Sequence, residues 1–203
     1  MPTNRWMAGD GPRGAAYDQR FADLAATGAD MHGEASFVAA YGPASVLDAG
    51  CGTGRVAIEL ERRGIHAVGL DLDRAMLAEA RRKAPHLDWV EADLADPGPA
   101  VPGPFDAVVL AGNVLIFVEP GTEGAVVSAM ASRLAEHGRL IAGYSLRPGG
   151  FGVAVHDALA ARAGLVLEDR WSTWDRHPFN EASTYAVSVH ARHAEGQGVS
   201  PGS

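Results

Sequence analysis

The period of apolar and polar positions changes repeatedly along the chain, and each change marks a new element. The apolar run Ala44-Ser45-Val46-Leu47 ends in Asp48-Ala49 and a glycine-rich turn, which predicts a buried strand. Arg55 to Arg63 follows with helical periodicity. Gly64 then supplies a left-handed cap, and Arg62 and Arg63 sit where cations complement the carboxyl end of a helix dipole. Ile65 to Leu70 predicts a second strand. Asp73 is placed to cap a helix on which Met76, Leu77 and Ala80 share one face, closed by Arg81, Arg82, Lys83 and Pro85. Leu87 to Glu91 and Phe105 to Leu110 predict strands three and four, on either side of a Pro/Gly-rich loop from Asp96 to Pro104. Glu119 to His137 reads as a helix broken by Gly138, and Arg139 to Ser145 as a fifth strand. After a turn at Arg147 to Gly150, residues Gly152 to Ala163 read as another helix.

Strands alternating with helices predict a parallel sheet covered on both faces, the doubly wound α/β arrangement of a Rossmann-like three-layer sandwich. Two strands remain, Leu165 to Trp171 and Ser183 to Arg192. The loop between them, Ser172 to Ala182, is too short for a crossover helix, so they are expected to be antiparallel neighbours. Tyr17 to Thr27 and His32 to Tyr41 predict two helices outside the repeat, placed to cover the site. The expected organisation is therefore 1–43 as amino-terminal cover helices, 44–193 as the ligand-binding domain, and 194–203 as a disordered tail of Gly, Ser and polar residues.

Composition narrows the class. A chain of 203 residues that is 47% hydrophobic can bury one sizeable core. No apolar run approaches the roughly 20 residues of a membrane helix, and the first residues lack a charged-then-apolar signal pattern, so a cytoplasmic protein with no membrane partner is expected. Cys51 is the sole cysteine, which excludes an internal disulfide framework and a cysteine-rich zinc site. A net charge of -8 without a basic block opposes binding to a phosphate backbone, so nucleic acid is not an expected partner. Nothing here indicates the oligomeric state.

The chemistry concentrates at Asp48-Ala49-Gly50-Cys51-Gly52-Thr53-Gly54. Its glycines let a ligand approach the backbone, and the helix that follows presents its amino end to negative charge. Asp71, about 20 residues past Gly50 and at the end of the second strand, can accept hydrogen bonds from ribose hydroxyls. A nucleotide-like cofactor is implied. The glycines fall at every second position, which departs from the Gly-x-Gly-x-x-Gly dinucleotide fingerprint. The stretch Val46 to Gly54 instead resembles motif I of class I S-adenosylmethionine-dependent methyltransferases. Further signposts of that family follow in order: Gly69-Leu70-Asp71-Leu72-Asp73, Glu91-Ala92-Asp93-Leu94, and Phe105-Asp106-Ala107-Val108-Val109.

The resemblance spans about Tyr17 to Arg192 and implies a seven-stranded, mostly parallel sheet with an antiparallel last pair. It also implies S-adenosylmethionine as cofactor and S-adenosylhomocysteine as product. Carried over by position, Gly50 and Gly52 lie beneath the methionine part, Asp48 anchors its amino group, and Asp71 holds the ribose. Leu72 and Met76 pack on adenine, Asp93 with the backbone of Ala92 and Leu94 reads its edge, and Ala111 lies near the sulfonium. Tyr17 is placed to approach the methionine carboxylate.

On the acceptor side, Ala111-Gly112-Asn113-Val114-Leu115 lacks the Asn/Asp-Pro-Pro-Tyr motif of enzymes that methylate exocyclic amines, and no metal is expected. His32, His156 and His177 are candidate bases, but none has a supporting partner spacing, so catalysis is left unassigned. Trp6, Tyr144, Trp171, Trp174 and Phe179 supply aromatic area suited to a flat or apolar small acceptor. Two other functions fit the same features: a module that binds the methyl donor without catalysis, and a nicotinamide-dependent oxidoreductase.

Overall fold

The computed structural model describes residues 4–28, 30–147 and 149–192. The expected tail, 194–203, lies outside the described residues. The elements run α1 (Arg5–Ala8), α2 (Ala15–Ala26), α3 (Gly33–Ala39), β1 (Ser45–Ala49), α4 (Arg55–Arg62), β2 (His66–Asp71), α5 (Arg74–Lys83), β3 (Asp88–Glu91), β4 (Phe105–Leu110), α6 (Val114–Phe117), α7 (Glu123–Ala131), β5 (Leu134–Ser145), α8 (Val153–Arg162), β6 (Leu165–Trp171) and β7 (Tyr185–Arg192).

The strands form one seven-stranded sheet in the order β3-β2-β1-β4-β5-β7-β6. The pairs from β3 through β5 are parallel, and β7 runs antiparallel to both β5 and β6. The predicted architecture and its antiparallel last pair are therefore present. Insertion of β7 between β5 and β6 also departs from the 3-2-1-4-5-6 order of nicotinamide-binding folds, which removes the basis for the oxidoreductase reading.

Successive strand residues point to opposite faces, and the core divides accordingly. Leu47, Val108, Leu140 and Ala142 pack on one side with Val126, Val127 and Met130 of α7. Val46, Ala107, Val109 and Ile141 pack on the other with Phe37 and Val38 of α3 and Val56, Ala57 and Leu60 of α4. The helix expected at His32 to Tyr41 thus belongs to the layer that covers the sheet, because its Ala35, Phe37 and Val38 are buried against the strands.

The helix expected from Glu119 to His137 is shorter. It ends with its cap at Ser132, and Leu134 already pairs with Phe105 of β4. Met130 and Leu134 keep a helical spacing, which hides the change of element from a periodicity reading. Burial of Leu134 beside β4 overrides that local pattern, and the register then shifts before Ala107 meets Arg139. The irregular stretch between those pairs carries His137 at φ 64. Two short helices, α1 and α6, carry too few residues to show a period.

One packing detail braces the end of the glycine turn against β2 and β3. A Cβ at Gly69 of β2 would lie 2.3 Å from the Trp89 ring, and one at Gly54 would also lie 2.3 Å from it. The indole fills the space that both glycines leave, and its N–H donates to the Ala84 carbonyl at 2.8 Å. Gly69→Ala is therefore expected to displace Trp89 and destabilise the protein by about 1–2 kcal/mol, the usual scale of overpacking. A chemical denaturation midpoint equal to wild type would contradict this.

Candidate functional site

The turn after β1 owes its shape to positive φ at Gly50 (78°), Gly52 (56°) and Gly54 (82°), a region that side chains other than glycine seldom adopt. The N–H groups of Gly50 and Cys51 both donate to the Leu70 carbonyl, at 2.7 and 3.0 Å, which ties the turn to the end of β2. A Cβ on Gly50 would stand 2.7 Å from Val114, and one on Gly52 would stand 3.2 Å from Met76. The bare backbone is thus what lets α5 and α6 close over the turn.

Two carboxylates flank it. Asp71 accepts from Gly52 N–H at 2.7 Å through one oxygen and from Asp73 N–H at 2.8 Å through the other. Each oxygen keeps a further lone pair for a ligand. Burial raises the Asp71 pKa, against the pull of those N–H groups. Asp48, only 1% exposed, accepts from Ala57 N–H at 3.1 Å. Burial pushes its pKa up to about 7, opposed by that N–H and by the Arg55 guanidinium. A buried carboxylate with one hydrogen bond favours an incoming cation.

Burial works against the charge of Arg55, but Glu34 outweighs it and raises the pKa. Arg55 donates to both Glu34 oxygens, at 2.9 and 2.5 Å, and its Cζ lies 4.9 Å from the centre of the Phe21 ring. Asp48, Asp71 and Arg55 all line one cleft that opens at the glycine turn.

The chain before β1 covers the cleft. Asn4 and Trp6 line it. The Trp6 indole N–H donates to Asp73 Oδ2 at 2.9 Å, and Arg13 pairs with the same oxygen at 3.2 Å. Arg13 also donates to the carbonyls of Trp6, Met7 and Gly9, which gathers residues 6–9 around one guanidinium. The other Asp73 oxygen caps α5 through Ala75 and Met76 N–H. Arg5 reaches the Ile116 carbonyl of α6 at 3.0 Å, so the segment bridges α5 and α6. In α2, Asp18 receives Thr53 Oγ1 at 2.5 Å and pairs with Lys83 at 2.6 Å.

Of the residues singled out from sequence, Tyr17, Asp48, Gly50, Gly52, Asp71, Leu72, Met76, Asp93, Leu94 and Ala111 all line this cleft. Ala92 stands outside its lining, and its N–H is engaged by the Asp71 carbonyl at 3.1 Å. Sequence reasoning missed Asn4, Thr53, Arg55, Val114 and Phe117, which also line it. Arg55 and Thr53 adjoin the glycine turn and were open to inference from that position. Asn4 depends on how the first residues fold back over the cleft, and Val114 and Phe117 on the short helix α6 that closes on the glycine turn.

The acceptor-side candidates are mostly elsewhere. His156 is fully buried, with Nδ1 3.1 Å from the Tyr144 hydroxyl, and burial pushes its pKa down to about 3. Tyr144 is buried in the core. Trp171 and Trp174 pack in the α3 layer, and Phe179 packs at the edge of the opposite core. His32 lies 3.7 Å from Glu59 at the other end of α4, and His177 offers its backbone to the loop turn. Only Trp6 of the expected aromatic residues lines the cleft. Among the described residues, His156, Asp157 and His190 bring possible metal-ligand atoms within 4.8 Å of one another, but Arg170 pairs with the Asp157 carboxylate and none of the three lines the cleft.

The donor and acceptor set fits S-adenosylmethionine. Carboxylates suit its ammonium, ribose hydroxyls and adenine amine, Leu72, Met76 and Leu94 offer apolar walls, and the glycine turn leaves its backbone bare. Comparison with known proteins agrees. Residues 46–138 match the family model described as a methyltransferase domain. A TehB-like SAM-dependent methyltransferase from Corynebacterium glutamicum superposes with a TM-score of 0.80 at 34% identity, over 87% of this chain and 96% of that one. The magnesium-protoporphyrin O-methyltransferase of Rhodobacter capsulatus is 32% identical over 93 residues, 43% of this chain and 40% of that protein. The 18S rRNA (guanine-N(7))-methyltransferase of Bos taurus is 40% identical over 67 residues, 33% of this chain and 24% of that protein. The chain thus spans under half the length of these two curated relatives.

Proposed function

Because this chain belongs to the S-adenosylmethionine-dependent methyltransferases, we propose that it transfers a methyl group to a small-molecule acceptor. The carrying observation is the cleft itself, an acidic, glycine-floored cradle at the carboxyl ends of β1, β2 and β4, roofed by the chain's own first helices. S-adenosylmethionine supplies the electrophilic methyl group when bound.

The protein's part is binding, orientation and exclusion of water. Asp48 holds the amino group of the methionine part, and Asp71 holds the ribose hydroxyls. Leu72 and Met76 flank adenine, while Asp93 and the Leu94 backbone beside it read its polar edge. Tyr17, Gly50, Gly52 and Ala111 line the methionine and sulfonium end. Within the 1–43 lead, α1 and α2 act as the cover of the 44–193 domain, and α3 braces the sheet.

A small acceptor is favoured by the net charge of -8, which opposes binding to a phosphate backbone. The rRNA methyltransferase among the relatives makes RNA the alternative to be tested. Calorimetric titration with S-adenosylmethionine and S-adenosylhomocysteine, with NADH as control, tests the cofactor assignment. Micromolar affinity for an adenosyl ligand, about -8 kcal/mol, is expected. A folded protein that binds neither adenosyl ligand would defeat the assignment. Methyl transfer to RNA, with none to a panel of small amines, carboxylates and phenols, would defeat the choice of acceptor.

A further inference from the structure

A second cluster of polar side chains lies away from the cleft, where α8 packs on the last two strands. His156 and Asp157 belong to α8, His190 to β7 and Arg170 to β6. Both histidines are buried, and their rings stand 4.7 Å apart with planes at 78°. Each ring has one nitrogen engaged. His156 Nδ1 lies 3.1 Å from the Tyr144 hydroxyl, and His190 Nε2 lies 2.9 Å from Asp157 Oδ1. The other nitrogen of each, His156 Nε2 and His190 Nδ1, is buried with no hydrogen-bond partner among the described residues.

Interiors seldom leave two polar atoms unpaired in adjoining rings. A histidine that ligates a metal has the same division of labour: one N–H is given to a hydroxyl or carboxylate, which fixes the tautomer, and the other nitrogen keeps its lone pair for the ion. Burial lowers the pKa of both imidazoles, so both rings are neutral at pH 7. One nitrogen of each histidine and a carboxylate oxygen of Asp157 lie within 4.8 Å of one another. We propose that His156, His190 and Asp157 form a binding site for a zinc-like transition-metal ion that clasps α8 to β7. Three nitrogen and oxygen donors suit such an ion, with water as the fourth.

The carboxylate already attracts a cation, since Arg170 pairs with it and donates through Nε to Ser188 Oγ at 3.1 Å. Arg170 Cζ also lies 5.6 Å from the centre of the Phe179 ring, so the guanidinium keeps a partner when an ion takes the carboxylate. The Asp157 side chain is 35% exposed, which gives the ion a way in. None of the three ligands lines the cleft, so the site is independent of the methyl-transfer reading. The sequence predicts no metal because His190 stands 33 positions from Asp157, outside any short ligand spacing.

The test is calorimetric titration with zinc chloride of the 203-residue chain, free of any affinity tag and stripped with chelator. Wild type is expected to bind one equivalent with micromolar or tighter affinity and to melt at a higher temperature once loaded. Asp157→Asn still accepts from His190 Nε2 but lacks the anionic donor, and its affinity is expected to be at least about tenfold weaker. His156→Gln is expected to show a similar loss. Arg170→Gln removes a competing cation and is expected to bind zinc several-fold more tightly, a gain that a purely structural network would not produce. No tight equivalent in folded wild type would overturn the proposal. Unchanged affinity in Asp157→Asn would also overturn it, by placing the ion on exposed histidines such as His66 or His177. Asp157 is partly exposed, so its variant decides the matter even if His156→Gln fails to fold.

Discussion

Asp71→Ala is expected to lower affinity for S-adenosylhomocysteine about 100-fold. Hydrogen bonds to an ionised group contribute about 1.5–3 kcal/mol each, and about 1.4 kcal/mol corresponds to a factor of ten. The alanine removes the acceptor for the ribose and also the one that holds Gly52 N–H at 2.7 Å, so ligand contact and turn geometry are lost together. Asp71→Asn separates the two losses, because an amide oxygen still accepts from one backbone N–H. Its expected loss is nearer tenfold. Calorimetry gives the affinities, and circular dichroism confirms that the sheet is intact. Wild-type affinity in the alanine variant would remove Asp71 from the site.

Asp48→Asn is expected to shift stability and affinity in opposite directions. The wild-type carboxyl has its pKa raised from 3.8 to about 7, chiefly by burial. Between those values the folded chain holds a proton that the unfolded chain has released. The contribution of this group to stability therefore falls as pH rises from about 4 to about 7, by about 4 kcal/mol, and is level above. The asparagine has no such charge and can still accept from Ala57 N–H. The ligand-free variant should thus gain on wild type at pH 8 and lose that advantage near pH 4.

Its affinity for S-adenosylmethionine should drop tenfold or more, because the ligand's ammonium has lost its counter-charge. In wild type, an ammonium beside Asp48 favours the ionised form. Affinity should then weaken as pH falls below about 7, by up to tenfold per pH unit, and this slope should vanish in the variant. Thermal melts and calorimetry from pH 5.5 to 8.5 measure both effects. A flat wild-type affinity over that range would exclude Asp48 as the ammonium partner.

The sheet and the glycine turn were legible in the sequence because each is dictated locally. Strand periods, the spacing of Gly50, Gly52 and Gly54, and an acidic residue at the end of the second strand all lie within short windows. The loop of Ser172 to Ala182 gave the antiparallel pair from length alone. What escaped depends on contacts distant in sequence. Trp6 reaches Asp73 across 67 positions and Arg5 reaches Ile116 across 111. The Met130 to Leu134 spacing looked helical because only pairing with Phe105 distinguishes it. His156 looked like a possible base until burial made it part of the core.

Asp73 joins events that a binding curve would not distinguish. One of its oxygens starts α5, and the other holds Trp6 and Arg13 in the roof. It lies outside the cleft lining. How tightly a ligand is held and how long it stays are therefore set by different groups. Equilibrium affinity is expected to follow the carboxylates that face the ligand, and residence time the parting of two bonds at a carboxylate one layer behind them. Weakening that tie at Arg13 would speed entry and exit together and leave their ratio almost unchanged.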